Sequence, residues 1–291
     1  MENKNKLKKN LPNLILAVFF IIGLCIFLYP SVSDFVNEWA QNWEVSQYES
    51  KVSELSYDIY DNLISEAQEY NKILVGKNLL FNNENLENTN YKNILSVENS
   101  GIIGYLKIPK INVRLPIYHG TDASILQIGV GHLEGTSFPV SGESVHAVLS
   151  GHTGLPSSKL LTDLVELEVG DTFSIVILNQ IYTYEVDQIL VVEPDETDAL
   201  EIIEGKQYAT IVTCTPYGVN THRLLVRGAL IQNVINADIA SEATVVDSTI
   251  IIPIIAIPLI IILFIIMINI RNKKNKRKEI EENEIEKNNS N

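Results

Sequence analysis

Cysteine is nearly absent from this chain: 291 residues contain only Cys25 and Cys214. Cys25 lies in an apolar run where it cannot meet Cys214, so no intramolecular disulfide is available. No Cys-x-x-Cys or His-x-x-x-His pair occurs, which removes the usual zinc spacings, and phosphate-cradling glycine loops are missing too. No metal site and no cofactor are expected. Positive charge is also scarce in the middle of the chain. Between Ser31 and Asp247, 11 lysines and arginines stand against 30 acidic residues, a net charge of −19. Nucleic-acid binding rests on basic patches that neutralise phosphates, so that class is excluded, and a neutral or cationic partner fits better.

Long apolar runs are present, one near each end. Leu14 to Leu28 carries no charge and no hydrogen-bonding side chain, and it follows Lys4, Lys6, Lys8 and Lys9. Ser31-Val32-Ser33 has the small-x-small form of a cleavage site, but Leu11 and Tyr29 extend the apolar block toward a full span, so residues 11–30 are read as an uncleaved signal anchor. Ile250 to Ile270 gives 21 further uncharged residues, interrupted by Pro253, Pro258 and Asn269, and six lysines and arginines follow between Arg271 and Lys278. Positive clusters flank the outer end of each run, so both termini are expected in the cytoplasm and everything between the spans on the far side. The resulting partition is a basic N-terminus over 1–10, a span over 11–30, a helical and linker region over 31–100, a folded domain over 101–235, a linker over 236–249, a second span over 250–270 and a charged cytoplasmic tail over 271–291.

From Ser31 to Tyr70 the apolar residues Val32, Phe35, Val36, Trp39, Trp43, Tyr48, Val52, Leu55, Ile59 and Leu63 recur at helical spacing, which predicts an amphipathic helix leading away from the membrane. Residues 76–100 are rich in asparagine and glutamate and read as linker. From Gly101 the pattern changes to short β-type runs: Ile102 to Ile108, Asn112 to Tyr118, Val145 to Ser150, Thr172 to Leu178, Ile181 to Val192, Tyr208 to Thr213 and Arg223 to Ile231. Seven or eight such strands suggest a mainly β barrel. A tight hairpin is expected at Asn179-Gln180, and short helices at Asp122 to Gln127 and Ser158 to Val165.

Cys214 closes the run Tyr208-Ala209-Thr210-Ile211-Val212-Thr213 and precedes turn residues Thr215-Pro216-Tyr217-Gly218. A strand end on a rigid scaffold is where a nucleophile is presented, whereas a lone thiol could also be simply buried. A thiol nucleophile needs an acid–base partner. Among five histidines, His152 follows an apolar strand between Gly151 and Gly154, which would let a substrate backbone approach closely. His119 and His132 also adjoin glycines and stay open on spacing; His146 falls within a strand, and His222 adjoins Arg223. An oxyanion needs donors, and arginine supplies a permanent planar set. Arg223 opens the strand after Cys214, while Arg227 lies on the same face and further away; an ordinary surface charge is the plain reading of either one alone.

Together Thr210-Ile211-Val212-Thr213-Cys214-Thr215-Pro216-Tyr217-Gly218, the segment Asn220 to Gly228, the Gly151-His152 loop, Leu115 to Thr121 and Gly129 to Ser137 resemble the sortases, most nearly the class C pilin polymerases. The family signature is Thr-Leu-x-Thr-Cys, and Ile211 here replaces the leucine. The resemblance implies a closed eight-stranded β-barrel, here with an N-terminal helical extension and two flanking transmembrane helices. It also implies a thioester mechanism carried by Cys214, His152 and Arg223, leaving His119 and His132 to structure. The expected substrate is a Leu-Pro-x-Thr-Gly-like sorting signal of a pilin or surface protein, cut after Thr. The expected acceptor is a pilin lysine amine, or in the alternative a cell-wall precursor; a third reading is a non-catalytic membrane-anchored pilus scaffold. One departure is visible. Class C enzymes usually carry a lid anchored by an Asp-Pro-aromatic motif, no Asp-Pro precedes Gly101, and Phe81 is the only substitute plug that suggests itself.

Overall fold

Alternating burial explains why the centre of the chain is sheet. Along one long strand Gln180, Tyr182, Tyr184 and Val186 are buried while Glu185 and Asp187 face solvent, the period of two that a pleated strand with one covered face requires. The computed structural model describes residues 2–76, 90–97 and 101–235, with isolated positions 260, 261, 264, 265 and 269. The chain divides into two units, Met1–Val32 with Ser241–Asn291, and Ser33–Ala240. Among its described residues the second unit holds eight strands: β1 (Ile102–Ile108), β2 (Val113–His119), β3 (Val130–His132), β4 (Val145–Ser150), β5 (Thr172–Ile177), β6 (Gln180–Val192), β7 (Gln207–Thr215) and β8 (His222–Ile235). They close into a barrel in the order β1-β2-β3-β4-β7-β8-β6-β5. Two of the pairings, β2 with β3 and β4 with β7, are parallel.

All seven expected strand runs are found, and β3 is the eighth. It is three residues long with a glycine at its centre, too short to show alternation. The hairpin differs by one residue. Ile177 pairs with Gln180, so Leu178-Asn179 form the turn, with Leu178 in the left-handed region at φ 53°. Asparagine is the commoner occupant of such a turn position, but the strand register decides, and the Leu178 N–H is held by Tyr48 Oη at 2.7 Å. The expected helix at 122–127 is the short α3 (Ala123–Leu126), and that at 158–165 is a 3₁₀ segment, Thr162–Glu166.

The amphipathic region is two helices, α1 (Glu2–Ser53) and α2 (Tyr57–Leu74). Its covered face is not the apolar stripe that the spacing picks out at the start. Trp39 and Trp43 are 62% and 56% exposed, their rings stacked 6.2 Å apart. The face of α1 that packs on the barrel carries Asp34, Asn37, Gln41, Val45 and Tyr48, also at helical spacing but half polar. Tyr48 is buried and donates to Ile103 O at 3.0 Å while accepting from Leu178 N–H, joining β1 to the β5–β6 turn. Arg114 of β2 reaches Glu49 at 2.7 Å from the same side.

The linker read over 76–100 is only partly a linker. Tyr91, Ile94, Leu95 and Val97 are buried against the barrel core, and residues 77–89, Phe81 among them, lie outside the described residues, as do the 236–249 linker, most of the second apolar run and the tail. Tyr91 enters an aromatic cluster with Tyr70 of α2, Phe138, His119 of β2 and His132 of β3. The tautomer of His132 follows from its neighbours. Nε2 faces the carbonyl oxygen of Ser137 at 2.9 Å and must donate, so Nδ1 is bare, and the one Tyr91 Oη–H is shared between Nδ1 and the His132 carbonyl oxygen, each at 2.9 Å. Gly120 N–H donates to the same tyrosine oxygen at 3.0 Å.

Two predictions follow from these buried polar groups. Tyr48→Phe leaves the Ile103 carbonyl and the Leu178 N–H unpaired inside the protein, a loss of about 2–4 kcal/mol, to be read from urea denaturation of the domain beyond the first span; an unchanged midpoint would contradict this role for the hydroxyl. For His132, burial pushes the imidazole from 6.5 down to about 3. The unfolded chain therefore binds a proton near pH 6.5 that the folded protein refuses until near pH 3. Its contribution is complete above 6.5 and is lost as pH falls, at a slope of about 1.4 kcal/mol per pH unit. His119 and His146, also lowered by burial, act in the same direction. His132→Gln is expected to flatten the fall of stability between pH 6 and pH 4 (order-of-magnitude limits of the window), measured as urea midpoint against pH; an unaltered slope would remove His132 from this account.

Candidate active site

The parallel pairing of β4 with β7 runs from Val145↔Gln207 to Ser150↔Val212. It continues one step further through backbone and side chain. Gly151 N–H donates to Val212 O at 3.0 Å, and the buried Thr213 hydroxyl donates to Gly151 O at 2.8 Å. His152 and Cys214 each stand two residues past the Ser150↔Val212 pair, so the register carried forward sets them level. On the other edge of β7, Cys214 is the direct cross-strand partner of Arg223 in β8. Directly opposed residues of an antiparallel pair project to the same face. The end of one central strand thus carries Cys214, with Arg223 on one side and the His152 loop on the other.

Cys214 lies within β7, one residue before its end at Thr215, and its thiol is free and half-exposed. Among the described residues no hydrogen bond reaches the Cys214 or His152 side chain. The two arginines separate clearly. Arg227 forms a two-pronged pair with Asp187 at 2.9 and 2.8 Å and lies 4.3 Å over the Tyr208 ring. Among the described residues Arg223 has no carboxylate partner; its Nη1 touches only the carbonyl oxygens of His222 and Asn220, at 3.0 and 3.3 Å. Its charge is left to meet whatever occupies the site.

The histidines separate in the same way. His119 is bonded to Ile94 O at 2.7 Å and His132 is locked as described. His146 is buried, with Nδ1 on Glu201 O and Nε2 on Thr210 Oγ1, both at 2.8 Å. His222 lies between Thr221 Oγ1 at 2.8 Å and Glu193 at 3.2 Å. Among the described residues only the His152 ring is uncommitted.

The glycines beside His152 have reasons other than substrate approach. A Cβ on Gly151 would come within 2.6 Å of Leu161 Cδ1 and 3.0 Å of Val130 Cγ1, so a side chain there would force these core side chains to shift. Gly154 takes φ 72°, and a Cβ there would sit 3.1 Å from the Tyr217 ring. The 153–162 loop and the β7–β8 loop therefore touch through Tyr217. Tyr217 and Val219 are 68% and 65% exposed, an apolar rim beside the thiol that sequence reasoning passed over as turn chemistry. A structural role for Thr213 was missed as well; its signals were its place directly before Cys214 and its position in the family signature.

A thiol, an uncommitted imidazole and an unpaired guanidinium at one open sheet end suit acyl transfer: a nucleophile, a proton carrier and a fixed cation for an oxyanion. No group of three metal-binding side chains occurs among the described residues.

The sortase domain model matches residues 106–231, from β1 to β8. A crystal structure of sortase C1 from Streptococcus agalactiae is 48% identical, with 65% of this chain and 98% of that one covered and a TM-score of 0.61. Sortase C of Streptococcus pneumoniae is 40% identical, covering 65% and 96%, at a TM-score of 0.58. Among curated proteins, sortase D of Bacillus subtilis is 36% identical over 114 residues, 39% of this chain, and the chain spans 54% of that relative's length. Agreement that covers nearly all of a sortase C1 structure at this identity, on a barrel ending in a cysteine with these neighbours, shows that the chain belongs to the sortase family of cysteine transpeptidases.

Proposed function

We propose that the chain is a class C sortase that joins pilin subunits, with Cys214 as nucleophile, His152 as acid–base and Arg223 as the substrate and oxyanion clamp. The observation that carries this reading is the Cys214↔Arg223 cross-strand pair with the His152 loop on the adjoining parallel strand. The Cys214 sulfur attacks the Thr carbonyl of a Leu-Pro-x-Thr-Gly-like signal, and negative charge gathers on oxygen beside Arg223. His152 gives its proton to the departing Gly amine as the C–N bond breaks, leaving a thioester. A pilin lysine amine then attacks, His152 takes its proton, and the thiolate is released with a new amide bond.

Support for this substrate class comes from similar structures. That of Streptococcus pneumoniae sortase C is described in terms of pilin substrate specificity, and Clostridium perfringens sortase C was solved with the C-terminal cell wall sorting motif. For location, α1 holds, from Val18 onward, a stretch long and apolar enough to cross a bilayer. Two spans, with the barrel outside and both termini in the cytoplasm, are supported by the lysine and arginine clusters outside each run. Within the first unit, Phe264 stacks on Phe20 with ring centroids 4.1 Å apart, which suits two neighbouring spans.

The test is transpeptidation of a Leu-Pro-x-Thr-Gly peptide onto a pilin lysine, with the acyl-enzyme followed by mass spectrometry. Cys214→Ala abolishes the acyl-enzyme. His152→Ala lowers turnover by about 10²–10⁴-fold, and Arg223→Ala by about 10²–10³-fold. Arg227→Ala, which breaks a structural pair, lowers the melting temperature and spares turnover. Turnover surviving Cys214→Ala, or equal losses at Arg223 and Arg227, would overturn the assignment.

A further inference from the structure

Unlike Cys214 and Arg223, which are fixed inside a ladder, His152 stands past the last pairing of β4, so its placement depends on the loop that follows. That loop is closed on itself. Leu161 N–H donates to His152 O at 3.1 Å, Gly154 N–H donates to Thr162 Oγ1 at 3.1 Å, and Leu155 bridges to Ser158. Lys159 and Asp163 pair at 2.5 Å. The loop is then held from outside the barrel by α1. Asp34 Oδ1 accepts from Lys159 N–H at 2.6 Å, Asn37 Nδ2 donates to Ser157 O at 2.6 Å, and Gln41 Nε2 donates to the buried Ser158 Oγ at 3.4 Å. Residues 34, 37 and 41 are spaced i, i+3, i+7 and so share one face of the helix. Three successive side chains of that face meet three successive residues of one loop.

We propose that Asp34, Asn37 and Gln41 are positioning residues for His152, so that the juxtamembrane part of α1 completes the active site instead of merely tethering it. The proposal rests on the reading of His152 as the acid that protonates the leaving amine. Each contact goes to a backbone group or a small hydroxyl, and each of the two backbone contacts requires one kind of hydrogen-bonding atom. Asp34 must accept, so an asparagine there serves as well as the aspartate. Asn37 must donate, and a carboxylate in its place faces the Ser157 carbonyl with no proton to give. A loose loop moves the imidazole relative to Cys214 without touching either ladder. The step that suffers is protonation of the amine, and binding of the sorting signal does not.

The experiment uses the full-length protein in detergent micelles with two substrates of the same sorting sequence: the amide, and an activated ester whose leaving group needs no proton. Asp34→Ala and Asn37→Asp are expected to lower kcat on the amide by roughly ten- to a hundredfold, the scale of a misplaced catalytic group, with KM unchanged and the ester turned over as in the wild type. Asp34→Asn restores amide turnover. Both positions are only half-buried, and circular dichroism confirms the fold. Equal losses on amide and ester, or failure of Asp34→Asn to restore activity, would mean a general structural role and overturn the proposal. His152→Ala separates the two levels. If it is inactive on the amide while Asp34→Ala and Asn37→Asp match the wild type, only this proposal fails; if it keeps full amide turnover, the acid role fails and the proposal with it.

Discussion

The parallel pairing of β4 and β7 is the constraint on which the site depends. Residues 62 apart in sequence, His152 and Cys214, come to the same end of the barrel because two parallel strands end together. An antiparallel neighbour would put its C-terminal end beside the start of β7. The antiparallel pairing on the other edge does the complementary task, since β8 begins where β7 ends and so places Arg223 opposite Cys214. One parallel and one antiparallel neighbour thus collect side chains from two strands and from the loop that follows a third. The Thr213 hydroxyl bonded to Gly151 O extends the parallel register one residue beyond the ladder, at the point where it would otherwise fray.

The barrel's outer surface is stabilised by tyrosines used for both their rings and their hydroxyls. Tyr48 and Tyr91 each bring a large apolar surface from outside the barrel and bond backbone groups: Tyr48 reaches Ile103 O and Leu178 N–H, and Tyr91 accepts from Gly120 N–H, which also donates to His132 O at 3.0 Å. A buried backbone group without a partner costs about 1–3 kcal/mol, so such a tyrosine is a specific clasp and not merely filler. This is why β1 is buried on both faces. His132 extends the same logic. Its neutral form accepts from Tyr91 and donates to Ser137, and burial keeps it neutral, so a polar ring costs little at the centre of an aromatic cluster.

What the sequence made legible divides along the same physical lines. Strands with several alternating residues were visible, and so was Cys214 at a strand end before turn chemistry, because periodicity and turn propensity are local. The shortest strand, β3, was hidden because three residues carry no period. The hairpin was placed one residue late because an asparagine signal yielded to the strand register. The docking face of α1 was not legible for a deeper reason. Val32, Phe35, Trp39 and Trp43 form the more apolar stripe, but Asp34, Asn37 and Gln41 find hydrogen-bond partners on the 157–159 loop, and no pattern within the helix records what a loop 120 residues away offers. Which histidine and which arginine remain free was equally invisible. That depends on who has already claimed the others: Asp187 for Arg227, Thr210 and Glu201 O for His146, Glu193 for His222. The motif resemblance supplied what local physics left open.

The three site residues are not held with equal firmness, and the difference follows from topology. Cys214 is paired with Arg223 in β8, one residue past the Thr213–Gly151 bond on the β4 side, and Arg223 is paired on both edges, with Cys214 and with Val192 of β6. Neither can shift without breaking a ladder. His152 is one residue past the Gly151 N–H bond that ends the parallel pairing, and beyond it the chain turns through Gly154 in a left-handed conformation. In the roles proposed for them, His152 as proton carrier needs tighter placement than Arg223 as cation, because proton transfer requires hydrogen-bond distance and direction, whereas attraction for an oxyanion falls off slowly with distance. The barrel therefore gives its weakest support to the residue with the strictest geometric demand. The loop's internal bonds to Leu161 and Thr162, the Tyr217 ring against Gly154 and the polar face of α1 all converge on that one place, and they supply from outside the sheet what the end of β4 cannot.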